Sequence, residues 1–395
     1  MYDVCCDVSR LCNKGRKVIA FQWRKAERSK FSVQQENRYI KMERVLMKGN
    51  EALAEAALRA GCKCFFGYPI TPQTEISAYL AKNMLKRGGT FLQAESEIAA
   101  INMVLGASSA GVRAMTSSSS PGISLKSEGI SYIAASDLPC VIVNVQRGGP
   151  GLGGIQPSQS DYRQATKAAG HGDFHMCVFA PSSVQETVDM TFEAFDTADK
   201  YRTPVMIMSD GLLGQMMEPV SFPDYEYKPA EKPWACNGHK NARKHNIINS
   251  LYLQPDVLEK SVLDRYERYA VIEKELPQAE TYLCDDADIV VCAFGAAARI
   301  ARSAVNSARK EGIKAGLFRP KTLWPFPVEQ LNKACENASM ALSVEMNMGQ
   351  MIDDIRLGLN CRIPVEFYGR TGGKIPSPTE VLEKLRAMNS ERSVL

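Results

Sequence analysis

A regular alternation of short apolar strands with helices constrains this chain more than any other feature of its sequence. It runs from about residue 50 to residue 210 and resumes at residue 287. Parallel strands need a crossover connection, usually a helix, so this pattern predicts a parallel sheet covered on both faces. We therefore expect an α/β fold, with a doubly wound parallel sheet and a second, smaller α/β domain. Strands of the first sheet are expected near residues 64–68, 90–93, 114–117, 140–145, 177–180 and 204–209.

Breaks in this pattern divide the chain into four parts. Residues 1–41 form a basic leader, 42–215 the first α/β domain, 216–284 an irregular connector and 285–395 the smaller domain. The leader holds ten Lys and Arg against four Asp and Glu, which leaves 38 basic and 40 acidic residues elsewhere, so the net charge of +4 comes from the leader. We expect the leader to be disordered or a mis-assigned start ahead of Met42, with a nucleic-acid-binding or targeting arm as the alternative.

Composition excludes several classes of protein. No apolar run reaches the roughly 18 residues that a membrane span needs, and the leader lacks the apolar segment of a secretory signal. The twelve cysteines include no Cys-x-x-Cys, and neither close pair, Cys5-Cys6 or Cys62-x-Cys64, has the spacing of a zinc or iron–sulfur site. We expect a cytoplasmic protein with reduced thiols and no metal site of its own, bound neither to a membrane nor to nucleic acid.

Three polar side chains follow predicted strands of the first sheet. They are Thr71 in a Pro-flanked loop, Glu97 at the head of an apolar helix, and Arg147 after an apolar strand. The carboxyl ends of parallel strands meet at one edge, where ligands bind. In an apolar environment the pKa of a carboxyl group such as that of Glu97 rises, so it holds a proton more readily. The alternative is that Glu97 only complements the helix dipole. Arg147 suits bidentate capture of a carboxylate, with a surface salt bridge as the alternative.

Other motifs have ordinary structural interpretations. The glycine spacing at residues 149–154 matches the dinucleotide fingerprint, but Pro150 interrupts it and no helix pattern follows. The Ser-rich loop at 116–122 could hold an anion at a helix N-terminus or serve as an ordinary cap. His171 and His175 lack an obvious third ligand, so a metal is not expected. The basic patch at 240–245 favours a solvated loop or a partner-docking segment over an anion site.

Seven motifs occur in order along residues 42–395. They are GYPITPQTE from residue 67, ESEIAA from 95, TSSSSPG from 116, RGGPGLGGIQPSQSD from 147, FRPKTLWPFP from 318, VEMNMGQM from 344 and GRTGGKIPSP from 369. Together they resemble the α-type subunit of the 2-oxoacid:ferredoxin oxidoreductases. Residues 243–253 of the connector resemble the branch of that family that acts on 3-methyl-2-oxobutanoate (2-oxoisovalerate).

This resemblance implies a site for thiamine diphosphate shared with a partner subunit. The first domain would be the pyrimidine-binding domain and the second a transketolase C-terminal-like domain. Glu97 matches the family's glutamate that hydrogen-bonds the aminopyrimidine ring. Arg147 and Thr71 match the positions for the carboxylate and the 2-oxo oxygen of the substrate. Three loop residues would also contact the cofactor: Tyr68, Pro69 and Ile70.

The implied reaction is the CoA-dependent oxidative decarboxylation of a 2-oxoacid to acyl-CoA and CO2, with reduction of ferredoxin. The sequence has no Gly-Asp-Gly followed by a distant Asn and no set of cluster cysteines. The resemblance therefore implies Mg²⁺ on a diphosphate-binding β-type subunit and iron–sulfur clusters on a ferredoxin-like subunit. The alternatives are 2-oxoglutarate or pyruvate as the substrate, a lipoamide-type 2-oxoacid dehydrogenase β subunit, or a non-catalytic scaffold subunit.

Overall fold

Two largely parallel sheets organise the part of the chain that the structure describes. The computed structural model describes residues 44–167 and 169–392, all within the compact unit Glu43–Leu395; a second unit, Met1–Met42, and with it the predicted leader, lies outside the described residues. The strands are β1 (Val45–Lys48), β2 (Cys64–Gly67), β3 (Thr90–Gln93), β4 (Ala114–Ser118), β5 (Cys140–Gln146), β6 (Cys177–Phe179), β7 (Pro204–Asp210), β8 (Met217–Val220), β9 (Ala279–Tyr282), β10 (Ile289–Cys292), β11 (Ala315–Pro320), β12 (Thr322–Trp324), β13 (Met340–Glu345) and β14 (Val365–Gly369).

Helices connect most of the strands. They are α1 (Gly49–Arg59), α2 (Thr74–Asn83), α3 (Glu97–Ser109), α4 (Pro121–Ala135), α5 (Tyr162–Thr166), α6 (Val184–Tyr201), α7 (Gly211–Gln215), α8 (Pro255–Glu275), α9 (Gly295–Lys310), α10 (Val328–Ala334), α11 (Met351–Gly358) and α12 (Pro378–Arg392). A short 3-10 helix, Leu85–Arg87, follows α2. Within the described ranges, no helix is both long enough and apolar enough to pass through a bilayer.

The larger sheet has the strand order β12-β6-β7-β5-β4-β2-β3, and its strands are parallel except for β12. Its central strands β5 and β7 are buried along their whole length, as expected for a sheet covered on both faces. The predicted α/β class is therefore confirmed. Strands β2 and β4 are neighbours, yet the chain leaves β2 toward β3 on one side and β4 toward β5 on the other. A crevice for ligands forms at such a switch point, outside the carboxyl ends of the strands.

The smaller sheet has the order β14-β13-β10-β11-β9, with only β9 antiparallel. It joins the larger sheet through Gln159, whose main chain and side chain are both bonded to it. Gln159 N donates to the Met346 carbonyl (3.0 Å), its Oε1 accepts from Met346 N (3.0 Å) and its Nε2 donates to the Phe294 carbonyl (2.8 Å). These contacts hold the segment that follows Arg147.

The Pro-rich segment 319–327 is predicted from sequence as a rigid turn, and that prediction is wrong. Its residues Thr322–Trp324 form β12, which pairs antiparallel with β6 at the edge of the larger sheet. Proline is tolerated beside such a strand because an edge strand does not need every N–H in the ladder. The Trp324 ring stacks on His175 with 4.6 Å between ring centroids, which places His175 in an aromatic contact.

The start of α1 also differs from expectation. The sequence predicts Asn50 near the N-cap, but Lys48 holds that position and makes no side-chain cap. Asn50 is instead buried, and its Nδ2 donates to the Pro72 carbonyl (2.8 Å) and to Glu75 Oε2 (2.9 Å). A polar residue at a helix start therefore fixes the loop that follows β2.

Candidate active site

Glu97 lies at the carboxyl edge of the larger sheet, four residues after the end of β3. Ser96 is the N-cap of α3, and its Oγ accepts from Ala99 N at 3.1 Å. The cap fixes the start of the helix, and Glu97 is its first residue. Only 6% of Glu97 is exposed. The side chain therefore lies in the sheet-edge crevice rather than in open solvent.

The carboxylate of Glu97 faces the start of α4. A Cβ built on Gly122 would lie 2.8 Å from Glu97 Oε1 and 2.1 Å from Ser118 Oγ. Both separations are too short for a Cβ contact, so a side chain at position 122 would displace the Ser118 hydroxyl and the Glu97 carboxylate. No residue of the described ranges donates a hydrogen bond to the carboxylate oxygens of Glu97.

The end of β4 and the residue after it carry unpartnered hydroxyls, and that of Ser118 lies beside Gly122 with the Glu97 carboxylate. Thr116 and Ser118 of β4 and Ser119 have buried side-chain oxygens without a hydrogen-bond partner in the described residues. Such groups usually find a partner, so a cluster of them signals an unfilled polar contact. Ser120 occupies the N-cap of α4 with φ 20°, but its side chain makes no cap hydrogen bond. Ordinary capping therefore does not account for this loop.

Ser120 instead belongs to a buried polar network behind the site. Its N–H donates to Asn144 Oδ1 (3.1 Å), and its Oγ donates to Asp161 Oδ2 (2.5 Å). Asn144 Nδ2 donates to the same Asp161 oxygen at 2.9 Å. Burial raises the pKa of Asp161, and the hydrogen bonds from Ser120 and Asn144 partly oppose that rise. Ser120 and Asp161 lie within two of the sequence motifs, but their contact with Asn144 of β5 joins residues far apart in the chain and leaves no local sequence signal.

Arg147 is buried, with 7% of the residue exposed. Its Nη1 donates to the Thr71 carbonyl (3.0 Å) and its Nη2 to the Leu152 carbonyl (3.1 Å), while its Nε has no partner among the described residues. The structure therefore brings Arg147 to the main chain of Thr71. Arg147 makes no ion pair within the described ranges, so the alternative of a surface salt bridge is wrong.

Buried hydrogen bonds of Gln73 fix the backbone of the loop after β2, while most of the loop's side chains are exposed. Gln73 is fully buried; its Nε2 donates to the Tyr68 carbonyl (3.1 Å) and its Oε1 accepts from Ser117 Oγ (2.6 Å). Tyr68 is 37% exposed. Pro69 and Thr71 are also exposed, and Ile70 is half-buried. The loop thus presents its side chains outward from a fixed backbone.

The glycine loop after Arg147 folds onto itself and starts no helix. Gly148 N donates to the Gln156 carbonyl (3.0 Å) and Gly154 N to the Gly148 carbonyl (2.9 Å). Gly153 has φ +59°, and a Cβ there would lie 1.8 Å from the Gly148 carbonyl oxygen, so glycine is required. This geometry agrees with the rejection of a dinucleotide fingerprint, because the next helix begins only at Tyr162.

Lys126 is a residue of this site that sequence analysis missed. It lies on α4, is fully buried, and its Nζ is 3.4 Å from the main-chain carbonyl oxygen of Glu97. Burial lowers the pKa of Lys126 to about 8, and the Glu97 carboxylate raises it in part. A lysine in a helix, between Leu125 and Ser127, is expected at the surface, so no sequence signal indicates its burial.

These residues fit the aminopyrimidine end of thiamine diphosphate. Glu97 offers a buried acceptor, the hydroxyls of Ser118 and Ser119 are free to bond, and Tyr68 presents an exposed ring at the same edge. Within residues 44–167 and 169–392, no group of three or more His, Cys, Asp or Glu side chains could hold a metal ion.

Comparison with known families and proteins places these features in context. A family profile described as "Pyruvate flavodoxin/ferredoxin oxidoreductase, thiamine diP-bdg" matches residues 55–276, and one for pyruvate:ferredoxin oxidoreductase core domain II matches residues 287–381. The ketoisovalerate oxidoreductase subunit VorB of Methanothermobacter thermautotrophicus is 49% identical over 350 residues, covering 88% of this chain and 99% of that protein. The 2-oxoglutarate synthase subunit KorA of the same organism is 37% identical over 380 residues, with 88% and 99% covered.

Solved structures show the same fold. The 2-oxoglutarate:ferredoxin oxidoreductase from Magnetococcus marinus superposes with a TM-score of 0.78 at 28% identity, covering 88% of this chain and 65% of that chain. This chain therefore spans about two thirds of that larger chain. A split gene transketolase, an inactive β4 tetramer, superposes with a TM-score of 0.54 at 14% identity, covering 86% of this chain and 97% of that chain. At that identity the likeness supports the fold alone.

Proposed function

Because this chain belongs to the 2-oxoacid:ferredoxin oxidoreductase family, we propose that it supplies the aminopyrimidine-binding half of a thiamine diphosphate site shared with a partner subunit. The observation that carries this proposal is the carboxylate of Glu97. It is 6% exposed at the switch point of the larger sheet, beside unpartnered buried hydroxyls. A buried acceptor without a described donor is suited to a donor that arrives with a ligand.

The residues of this chain have separate tasks in the proposed reaction. When bound, thiamine diphosphate supplies the electron sink that lets a 2-oxoacid lose CO2. Glu97 would hold the aminopyrimidine by a hydrogen bond and would move a proton at the carboxylate oxygen that faces it. The unpartnered hydroxyls of Ser118 and Ser119 would be available as further donors. Burial around Glu97 keeps water from competing for its oxygens and strengthens these contacts.

Arg147 and Thr71 would bind the substrate. The guanidinium of Arg147 is fixed by two main-chain carbonyls and leaves Nε without a described partner. A cation held this way is ready to pair with the carboxylate of a 2-oxoacid with little loss of side-chain entropy. The hydroxyl of Thr71 is on the exposed side of its loop and would donate to the 2-oxo oxygen.

The substrate proposed for this chain is 3-methyl-2-oxobutanoate, a branched 2-oxoacid. It follows from the 47–49% identity to two VorB subunits of ketoisovalerate oxidoreductase, against 36–37% to the KorA subunits of 2-oxoglutarate synthase. The products would be the acyl-CoA and CO2, with electrons passing to ferredoxin. 2-Oxoglutarate and pyruvate remain the alternative substrates, since relatives named for both share the family.

The proposed complex needs two further kinds of subunit. A diphosphate-binding β-type subunit would hold Mg²⁺ and the diphosphate, because the sequence carries no Gly-Asp-Gly motif. An iron–sulfur subunit would accept the electrons, because the cysteines have no cluster spacing. This division of labour distinguishes the proposal from a lipoamide-type dehydrogenase β subunit, whose acceptor would be a lipoyl protein.

Reconstitution tests the proposal. The chain alone should show no thiamine-dependent decarboxylation of 3-methyl-2-oxobutanoate, and activity should appear only with both partner subunits and a ferredoxin-like acceptor. Pyruvate and 2-oxoglutarate, assayed in the same complex, report on the substrate. Decarboxylation by the isolated chain would overturn the shared site. Reduction of a lipoyl protein instead of the ferredoxin-like acceptor would overturn the electron route.

A further inference from the structure

The surface of α4 that faces α3 consists of two glycines with a lysine between them. Gly122, Lys126 and Gly129 are spaced at four and three residues, so they lie on one face of the helix. A Cβ on Gly129 would lie 2.4 Å from Ile101 Cγ2, and one on Gly122 would meet Glu97. The glycines therefore let the two helices approach closely, with the lysine side chain enclosed between them.

Glu97 provides the one hydrogen bond and the one nearby negative charge that Lys126 has among the described residues. Lys126 is 0% exposed, and the hydrogen bond that its Nζ makes to the Glu97 carbonyl is long, at 3.4 Å. No carboxylate of the described residues lies within salt-bridge distance of it. A buried ammonium with one weak hydrogen bond is costly.

Helical geometry directs the lysine toward the site. Side chains on a helix lean toward its N-terminus, so Lys126 points back along α4 toward Gly122 and the start of α3. That is where the Glu97 carboxylate lies, since its Oε1 would contact a side chain at position 122. The two opposite charges thus share one enclosed space, in which little water screens them.

We propose that Lys126 is a positioning residue for Glu97: its buried ammonium is the counter-charge beside the Glu97 carboxylate and holds that side chain in place as a hydrogen-bond acceptor at the sheet edge. Lys126 touches neither substrate nor cofactor in this account and acts through Glu97. The charge pairing concerns this chain alone. Its consequence for thiamine diphosphate rests on the proposed function.

Other charged groups around α4 are accounted for. Glu128 lies on the exposed side of α4 and accepts from the Tyr132 hydroxyl. His171, in the adjacent loop, has its Nδ1 3.2 Å from Ser131 Oγ. Asp161 is bonded to Ser120 and Asn144 at the start of the helix. From α3, Glu97 is the charged group that acts on Lys126.

The first test uses the full chain alone, without cofactor. Its unfolding free energy is measured by denaturant titration from pH 7 to pH 10.5 for the wild type, Lys126→Met, Glu97→Gln and the exposed control Lys86→Met. Burial lowers the pKa of Lys126 to about 8 from its ordinary value of 10.5. Between these values the unfolded chain binds the extra proton, so stability rises with pH through this window. Taking differences between variants removes the groups that they share.

The wild type and Lys86→Met should show this rise, and Lys126→Met should lack it. Glu97→Gln removes the charge that raises the pKa of Lys126, so the rise in its stability should begin at a lower pH than in the wild type. An unchanged position of the rise in Glu97→Gln would overturn the pairing. This arm keeps Lys126 in place, so it decides the question even when Lys126→Met fails to fold.

The second test uses the reconstituted complex and a double-mutant cycle. Lys126→Met should lower kcat about tenfold in the wild-type background, and less than twofold when Glu97 is already glutamine. An equal loss in both backgrounds would show a merely structural role and overturn the proposal. Where the first test succeeds and the complex shows no dependence on thiamine diphosphate, the proposed function fails and the pairing of Lys126 with Glu97 stands.

Discussion

Two buried glutamates occupy similar places in the two sheets and have opposite surroundings. Glu345 ends β13 of the smaller sheet and is 0% exposed; its oxygens accept from Ser343 Oγ (2.8 Å) and from the main-chain N–H groups of Gln350 (3.0 Å), Met351 (2.9 Å) and Ile352 (3.1 Å). Glu97 follows β3 of the larger sheet and is 6% exposed, with no donor among the described residues. Glu345 accepts hydrogen bonds from the free main-chain N–H groups at the start of α11. The carboxylate oxygens of Glu97 accept no hydrogen bond from the described residues.

This difference separates a structural carboxylate from one that is available to a ligand. A carboxylate whose oxygens accept hydrogen bonds from its own chain stabilises the fold and has little accepting capacity for a ligand. A buried carboxylate without such donors is unfavourable in the free chain, but its oxygens can accept hydrogen bonds from a ligand.

Glu97→Gln should lower turnover of the reconstituted complex by about 10²–10⁴-fold, the range for loss of a general acid or base. Assembly should survive, because the side chain makes no described hydrogen bond that holds the fold. Steady-state kinetics and size-exclusion chromatography measure the two quantities. Glu95→Gln, two residues earlier and exposed, is the matched control and should retain activity. Unchanged turnover in Glu97→Gln would refute its role.

Glu345→Ala should show the reverse pattern, with its cost in folding. Removing the acceptor of several buried N–H groups should lower the unfolding free energy by about 3–5 kcal/mol. Glu97→Ala should cost only about 1 kcal/mol, from the helix dipole and the lost charge beside Lys126. Denaturant titration of the chain compares the two variants directly. Equal losses would erase the distinction between the two carboxylates.

Arg147→Ala should weaken use of the 2-oxoacid by about 2–4 kcal/mol in kcat/KM, if the buried guanidinium pairs with the substrate carboxylate. The loss should be carried mainly by KM for the 2-oxoacid, with KM for CoA little changed. Arg386→Ala, an exposed arginine paired with Glu311 on the smaller domain, is the control. An unaltered specificity constant would exclude Arg147 from substrate binding.

Gly122→Ala should disturb the contact between α4 and Glu97. The added methyl would meet Ser118 Oγ and Glu97 Oε1, so we expect a loss of about 1–3 kcal/mol in unfolding free energy together with reduced activity. Gly106→Ala on α3 is the matched control, since a Cβ there meets nothing within 4 Å. That variant should gain about 0.5–1 kcal/mol from helix propensity. Equal effects would mean that the close approach at Gly122 is unimportant.

The features of the fold and the site that depend on local sequence patterns could be predicted from the sequence. The alternation of strands and helices predicts the larger sheet, and strand ends followed by Thr71, Glu97 and Arg147 predict the edge at which they lie. Strand β12 was not predicted, because Pro320 and Pro325 on either side of Thr322–Trp324 are typical of a turn and not of a strand. The burial of Lys126 was also not predicted, because it depends on how α3 packs against α4, which no periodicity encodes. The contrast between Glu97 and Glu345 likewise requires knowing which donors reach each carboxylate.

A crystal or cryo-EM structure of the reconstituted complex with thiamine diphosphate bound tests the role of Glu97. A Glu97 oxygen should lie within hydrogen-bond distance, about 2.6–3.2 Å, of the aminopyrimidine ring nitrogen. The diphosphate and Mg²⁺ should lie on the partner subunit. An aminopyrimidine ring bound elsewhere, with Glu97 facing only protein or solvent, would refute the proposal that Glu97 binds the cofactor.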